Sequence, residues 1–165
     1  MLFHYKSETY WKVRKHLIYY QVVKSWLESF GDQNSILDIG CRGCPTSTWG
    51  TFLERTAIDS ESFLQINGVL CVREDWLKFK SKHYSVITCM QVLEHLDDET
   101  VAKFVSKIFN HCDKAIISVP YRWQIGFCKH HLQDPIDIKK FLNMIGRDPI
   151  KTEIVSNRLV GLFQK

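Results

Sequence analysis

The chain has 165 residues and a mass of 19.4 kDa, the size of one domain that buries roughly two thirds of the surface its unfolded form exposes. Apolar residues at 45% and charged residues at 24% exclude disorder, a collagen-like repeat and a coiled coil. A formal charge of +4 is too slight for a dedicated nucleic-acid binder. Small basic groups (Lys12, Arg14, Lys15 and His16; Lys78, Lys80 and Lys82; Lys129 with His130 and His131) still leave an anionic acceptor, RNA included, open.

No apolar run approaches the ~18 residues of a membrane span, and the start, Met-Leu-Phe-His-Tyr-Lys-Ser-Glu, is too polar for a signal peptide. A reducing, cytoplasmic setting is expected, with Cys41, Cys44, Cys71, Cys89, Cys112 and Cys128 as free thiols. Cys41 and Cys44 form a C-x-x-C without the second pair that a structural zinc needs, so no metal is assigned to them.

In chain order, Thr9 to Phe30 is expected as one helix: Tyr19, Val22, Val23, Trp26 and Phe30 keep helical spacing and Gly31 stops it. Ser35 to Ile39 is a short apolar strand ending in Asp-x-Gly, and a weak helix with Trp49, Phe52 and Leu53 on one side follows. Thr56 to Ile58, Val69 to Val72 and Tyr84 to Cys89 are three more strands. Asp97 or Asp98 caps a strong helix whose Val101, Phe104, Val105 and Ile108 form one face. Ala115 to Val119 is a fifth strand, stopped by Pro120. A helix with Asp134 as N-cap, Pro135 at its first position and Gly146 at its end comes next. Two last strands, Ile150 to Ser156 and Leu159 to Phe163, close as a hairpin through Asn157-Arg158.

Alternating strands and helices predict an α/β fold with a mostly parallel sheet covered on both faces, and the hairpin predicts antiparallel strands at its end. The whole chain, 1–165, reads as a single domain: residues 1–31 as a helical cap and 35–165 as the core. In such a sheet ligands bind beyond the carboxyl ends of the strands, at the point where strand order reverses.

Three features there describe an adenosine site. After the first strand comes Asp38-Ile39-Gly40-Cys41-Arg42-Gly43-Cys44, whose glycines allow close backbone approach. Asp59, followed by Ser60, ends the second strand and can accept from two ribose hydroxyls. Asp75 and Trp76 follow the third: a carboxylate for an adenine amino group and a flat apolar wall.

The sequence resembles the class I S-adenosylmethionine-dependent methyltransferases. Leu37-Asp38-Ile39-Gly40-Cys41, Ala57-Ile58-Asp59-Ser60, Glu74-Asp75-Trp76-Leu77, Val86 to Leu96 and Ile116 to Tyr121 look like five motifs of that family, in order. The resemblance implies a Rossmann-like three-layer α/β/α sandwich with seven strands in the order 3-2-1-4-5-7-6 and S-adenosyl-L-methionine as cofactor. It also implies that Asp38, Gly40, Cys41 and Gly43 face the methionine end, Asp59 and Ser60 the ribose, and Asp75 and Trp76 the adenine, with Met90 and Gln91 lining the far side. The chain departs from the family pattern in the glycine loop, where Arg42 and Cys44 replace glycines, and at Ser85, where an acid is common.

Gln91, Glu94 and His95 at i, i+3, i+4 would share a face of one helical turn beside the methyl group. His95 is the expected base, helped by Glu94 and by His131 from the loop after the fifth strand. The same trio resembles the metal site of small-RNA ribose methyltransferases, but Gln91 replaces a carboxylate there, and no metal is assigned. The expected activity is methyl transfer to a small molecule, at a hydroxyl oxygen. The alternatives are a metal-assisted RNA ribose methyltransferase and a methyltransferase-like binding module without chemistry. The sequence sets no oligomeric state.

Overall fold

The structure is a computed structural model describing residues 7–61 and 65–165. Residues 1–6 of the expected cap lie outside the described residues. Seven strands form one sheet: β1 (Asp32–Ile39), β2 (Thr51–Asp59), β3 (Leu70–Arg73), β4 (Tyr84–Met90), β5 (Cys112–Pro120), β6 (Lys151–Val155) and β7 (Arg158–Gln164). Their order is β3-β2-β1-β4-β5-β7-β6. The pairs among β1 to β5 are parallel, and β7 runs antiparallel to both β5 and β6. This is the Rossmann-like sheet that the sequence led us to expect.

Both faces of the sheet are covered, and the two-residue alternation of strand side chains divides the core. Ile36, Val86, Ile116 and Val160 point to one side and meet α2 (Ile18–Ser29) through Tyr19, Val23, Trp26 and Leu27. Leu37, Ile87, Ile117 and Leu159 point to the other and meet α3 (Asp98–Asn110) and α4 (Ile138–Ile145) through Phe104, Ile108 and Phe141. Every residue of β4 is buried, which is why its sequence carries no charge and does not alternate, its two hydroxyl residues, Ser85 and Thr88, being hydrogen-bonded inside the fold.

Four expectations about elements need correction. The single N-terminal helix is two, α1 (Ser7–Arg14) and α2, broken at residues 15–17, where Leu17 is extended. The break has a packing cause. Trp11 and Tyr20 stand nine residues apart, roughly 13 Å along an unbroken helix, yet their ring centroids are 5.0 Å apart.

The weak helix after β1 is a single 3-10 turn at Thr46–Thr48, and Phe52 and Leu53 belong to β2. Gly50, with φ +70°, sits so close to α2 that a Cβ would lie 2.7 Å from the Leu27 carbonyl oxygen. The Arg55 guanidinium donates to the carbonyls of Ser47 (2.7 Å) and Gly50 (2.8 Å), satisfying backbone groups that a helix would have paired internally. Among the described residues no α-helix lies between β1 and β4.

The N-cap of α4 is Asp137, which accepts from the Lys140 amide at 2.8 Å, not Asp134. Asp134 instead precedes a cis peptide bond to Pro135 and turns to His131. The hairpin turn is centred on Ser156 and Asn157, with φ +46° and +57°, one residue earlier than expected. Gly146 closes α4 in the left-handed conformation, and Asp97 caps α3, both as the sequence indicates.

No helix among the described residues is long and apolar enough to cross a membrane.

Candidate active site

The carboxyl ends of β1, β2 and β4 meet at the glycine loop. Asp38, one of the last residues of β1, lies opposite Thr88 of β4 and accepts from its hydroxyl at 2.7 Å. Its other oxygen, beside Thr46, makes no hydrogen bond of normal geometry. Burial pushes the Asp38 carboxyl from its ordinary 3.8 up to about 7. With Gly40, Cys41, Met90, Tyr10 and Tyr20 it lines a crevice of about 200 Å³.

The loop takes its shape from left-handed residues: Gly40 at φ +69°, Arg42 at +45° and Gly43 at +81°. A Cβ on Gly40 would lie 2.5 Å from a Val92 methyl, so any side chain there would have to displace Val92 as well as hold a positive φ. Arg42 holds the conformation without being glycine, at a cost of about 1–2 kcal/mol. Its amide donates to Asp59 at 2.9 Å, and the other Asp59 oxygen accepts from the Glu61 amide at 3.0 Å. Asp59 is thus buried at the end of β2 as the anchor of the loop beside it, with Ser60 exposed next to it. Cys44, whose amide donates to the Cys41 carbonyl at 2.8 Å and whose thiol meets the Tyr20 hydroxyl at 3.1 Å, closes the loop on its other side.

Trp76 is not at the cleft. Its indole is 2% exposed and packs against Phe79, Phe104 and His111, with Nε1 donating to the Phe104 carbonyl at 3.2 Å. Lys107 lies over its ring at 4.6 Å and ties the carbonyls of Trp76, Leu77 and Phe79 to α3. The expected adenine wall is core because the turn after β3 folds onto α3. Asp75 starts that turn, its carboxylate accepting from the Leu77 amide at 2.8 Å. Trp76→Ala should therefore lower the unfolding free energy by about 3–5 kcal/mol, the range for emptying a large aromatic site. Urea denaturation would measure it, and a loss under 1 kcal/mol would contradict the core assignment.

Gln91, Glu94 and His95 do not share a face. Gln91 is left-handed (φ +57°) and turns to β5, its amide side chain donating to the Ser118 hydroxyl at 3.1 Å. Leu93–His95 is a 3-10 turn that sends Glu94 inward and His95 to the surface. Glu94 is 1% exposed, one carboxyl oxygen has no hydrogen-bond partner, and burial raises its carboxyl from 4.5 to about 8. Its backbone carbonyl receives the amides of Leu132 (2.8 Å) and Gln133 (3.3 Å), so the loop after β5 is drawn onto the turn after β4.

That docking brings His131 to His95, ring centroids 4.8 Å apart. His95 Nδ1 is 3.0 Å from the His130 carbonyl oxygen and His131 Nδ1 is 2.8 Å from an Asp134 carboxyl oxygen. A carbonyl oxygen can only accept, so Nδ1 of His95 carries the proton and Nε2 keeps a lone pair. The Asp134 carboxylate selects the same tautomer for His131. Burial and the neighbouring His131 lower the His95 pKa below 6.5, the carbonyl of His130 opposing. One ligand atom from each of Glu94, His95 and His131 lies within 4.8 Å of the others.

Two residues of this neighbourhood escaped sequence reasoning: Asp134 read as a helix cap and Arg158 as a turn residue. Arg158 carried a signal, as a lone charge opening the apolar strand Leu159-Val160-Gly161-Leu162-Phe163.

No protein-family model and no curated protein matches the sequence. Solved structures do resemble the fold. The N-methyltransferase NodS from Bradyrhizobium japonicum, in complex with S-adenosylhomocysteine, superposes with a TM-score of 0.71 at 14% identity, over 89% of this chain and 85% of its own. Magnesium protoporphyrin IX methyltransferase from Synechocystis, also with bound S-adenosylhomocysteine, gives 0.65 at 15% identity over 87% and 81%. The 1,6-didemethyltoxoflavin-N1-methyltransferase from Burkholderia thailandensis gives 0.71 at 14% identity over 93% and 80%. The strand order, the loop after β1 and these likenesses agree: the chain has the fold of the class I S-adenosylmethionine-dependent methyltransferases.

Proposed function

We propose that this chain binds S-adenosylmethionine across the carboxyl ends of β1, β2 and β4 and methylates a small acceptor at a hydroxyl oxygen. The observation that carries the reading is the buried pair Asp38 and Asp59 on either side of the left-handed glycine loop, at the switch point of the sheet. Asp38 holds a carboxyl oxygen without a well-formed partner in the crevice, which suits the cationic end of such a cofactor. Asp59 accepts from the backbone amides of Arg42 and Glu61 and so fixes the loop at the end of β2, where the resemblance puts the cofactor's ribose. Tyr10 of α1 lines the crevice, so α1 stands at its mouth, where a cofactor would enter.

The cofactor supplies an electrophilic methyl group on a sulfonium sulfur. The chain's part is to hold the acceptor in line and to take its proton. Nε2 of His95, a lone pair on a neutral imidazole at neutral pH, would accept the proton that the acceptor hydroxyl gives up on methylation. His131, held by Asp134, flanks it.

The Asp38 carboxyl gives a pH signature. It is mostly protonated below pH 7 in the free protein, because its pKa is raised to about 7. A cation beside it favours the ionised form, so binding releases a proton and affinity rises with pH up to about 7, then levels. Calorimetry of S-adenosylhomocysteine in buffers of different ionisation enthalpy should show this release, and Asp38→Asn should remove it. Binding with no proton release at pH 6 would place the cationic end elsewhere.

A second reading rests on the clustering of Glu94, His95 and His131. Two imidazoles anchored through Nδ1 to oxygen acceptors, with a carboxylate close by, form a set that could hold zinc or another first-row cation. That would favour the metal-assisted alternative, methyl transfer to an RNA ribose. Adding Zn²⁺, Mn²⁺ or Mg²⁺ to stripped protein should then raise its thermal midpoint, and His131→Ala should abolish the rise. No response to any of the three would reject this reading.

A further inference from the structure

Arg158 opens β7 directly opposite Pro120 at the carboxyl end of β5. A guanidinium stays charged at every physiological pH, yet Arg158 is 8% exposed and forms no ion pair among the described residues. Its Nη1 donates to the backbone and side-chain oxygens of Asn157, at 3.2 and 2.5 Å, both neutral acceptors. Its Nε has no partner. The guanidinium lies 4.4 Å over the ring of Trp123, whose buried indole N–H also lacks an acceptor. Two buried donors, one of them charged, have no hydrogen-bond acceptor; the buried Glu94 carboxyl attracts Arg158 electrostatically but makes no hydrogen bond with it.

The place of this pair is as telling as its chemistry. Trp123 is stacked on His131, centroids 5.4 Å apart at 21°. Arg158 also lies 5.9 Å over Tyr19, which stacks on Tyr20 of the cofactor crevice. The pair therefore sits between the crevice and the two histidines, where an acceptor has to lie.

We propose that Arg158, with the Trp123 indole N–H, receives a carboxylate on the methyl acceptor, so that the substrate is a small hydroxy acid; this rests on the methyltransferase reading above. A carboxylate matches the planar fork of a guanidinium and neutralises it. The burial of Arg158 favours a small molecule over an RNA phosphate, which would need an open basic groove.

The test uses the full chain, with and without S-adenosylhomocysteine, and follows thermal midpoint and calorimetric affinity. The probes are 2-, 3- and 4-hydroxybenzoate, the matching hydroxybenzamides, methyl phosphate and a short single-stranded RNA. At least one hydroxybenzoate should bind ten or more times more tightly than its amide. Arg158→Gln should erase that preference while S-adenosylhomocysteine affinity stays within a few-fold. Arg158→Lys keeps the charge without the fork and should fall between, which guards against Arg158→Gln failing to fold. Equal affinity for acid and amide, or no binding of any carboxylate, would overturn the proposal, as would binding of methyl phosphate or RNA alone. Failure of S-adenosylhomocysteine to bind would instead count against the methyltransferase reading itself.

Discussion

Asp59→Ala is expected to weaken S-adenosylhomocysteine binding by about 100-fold or more. Hydrogen bonds to a charged group contribute roughly 1.5–3 kcal/mol each, and the two ribose hydroxyls would lose both of theirs. The same carboxylate accepts from the amides of Arg42 and Glu61, so its loss also releases the loop that the cofactor must meet. Asp59→Asn keeps one acceptor oxygen and should lose less than the alanine variant. Calorimetry compares the three proteins, with circular dichroism confirming that each is folded. A folded Asp59→Ala protein with unchanged affinity would remove the cofactor from the end of β2.

His95→Gln is expected to reduce turnover by about 10²–10⁴-fold, the usual contribution of a general base, with S-adenosylhomocysteine affinity nearly unchanged. The base must be neutral, and the His95 pKa lies below 6.5 because its ring is partly buried beside His131. The wild-type rate should therefore rise with pH through a value below 6.5 and then level, and the variant should lose that limb. The assay reads release of S-adenosylhomocysteine with whichever acceptor the wild type uses. A variant with full turnover and the same pH limb would reduce His95 to a residue that ties the turn after β4 to the His130 carbonyl.

Much of the sheet was legible because its strands are short apolar runs that end in characteristic residues. Ile39, Asp59 and Pro120 each mark a strand end at or within one residue of where the sequence suggested one. The helices α3 and α4 announce themselves through apolar spacing, and Gly146 through its left-handed turn. What local pattern could not show was tertiary. Phe52 and Leu53 fit either a helix face or a strand, and pairing of β2 along the full length of β1 decided for strand. Trp76 follows a strand end, as an adenine wall would, but the turn at Asp75 and the three carbonyls held by Lys107 take it into the core.

The site shows the same division. Asp38, Gly40 and Asp59 converge because they end adjacent parallel strands, which sequence order alone implies. Glu94, His95 and His131 come together through a 3-10 turn and the Glu94 carbonyl rather than through one helical face. Arg158 and Asp134 reach the same place only because β7 returns antiparallel beside β5 and the loop before α4 folds back. Arg158 stands out along the chain only as a lone charge before an apolar strand, and nothing beside Asp134 announces its place.

The raised pKa values also set how the free protein responds to pH. Asp38 and Glu94 titrate at about 7 and about 8 when folded, against ordinary values of 3.8 and 4.5. Their contribution to stability is full below pH 4 and is lost as pH rises through 7 and 8. A cationic cofactor beside Asp38 would offset part of that loss, so its stabilising effect should be larger at pH 8 than at pH 5.

The most direct measurement is calorimetric titration of the 165-residue wild-type chain with S-adenosylmethionine and with S-adenosylhomocysteine. Saturable one-to-one binding of both in the micromolar range, with a matching rise in thermal midpoint, is the predicted result. Absence of heat and of stabilisation with either ligand would contradict the account and leave the fold as a binding module without methyl-transfer chemistry.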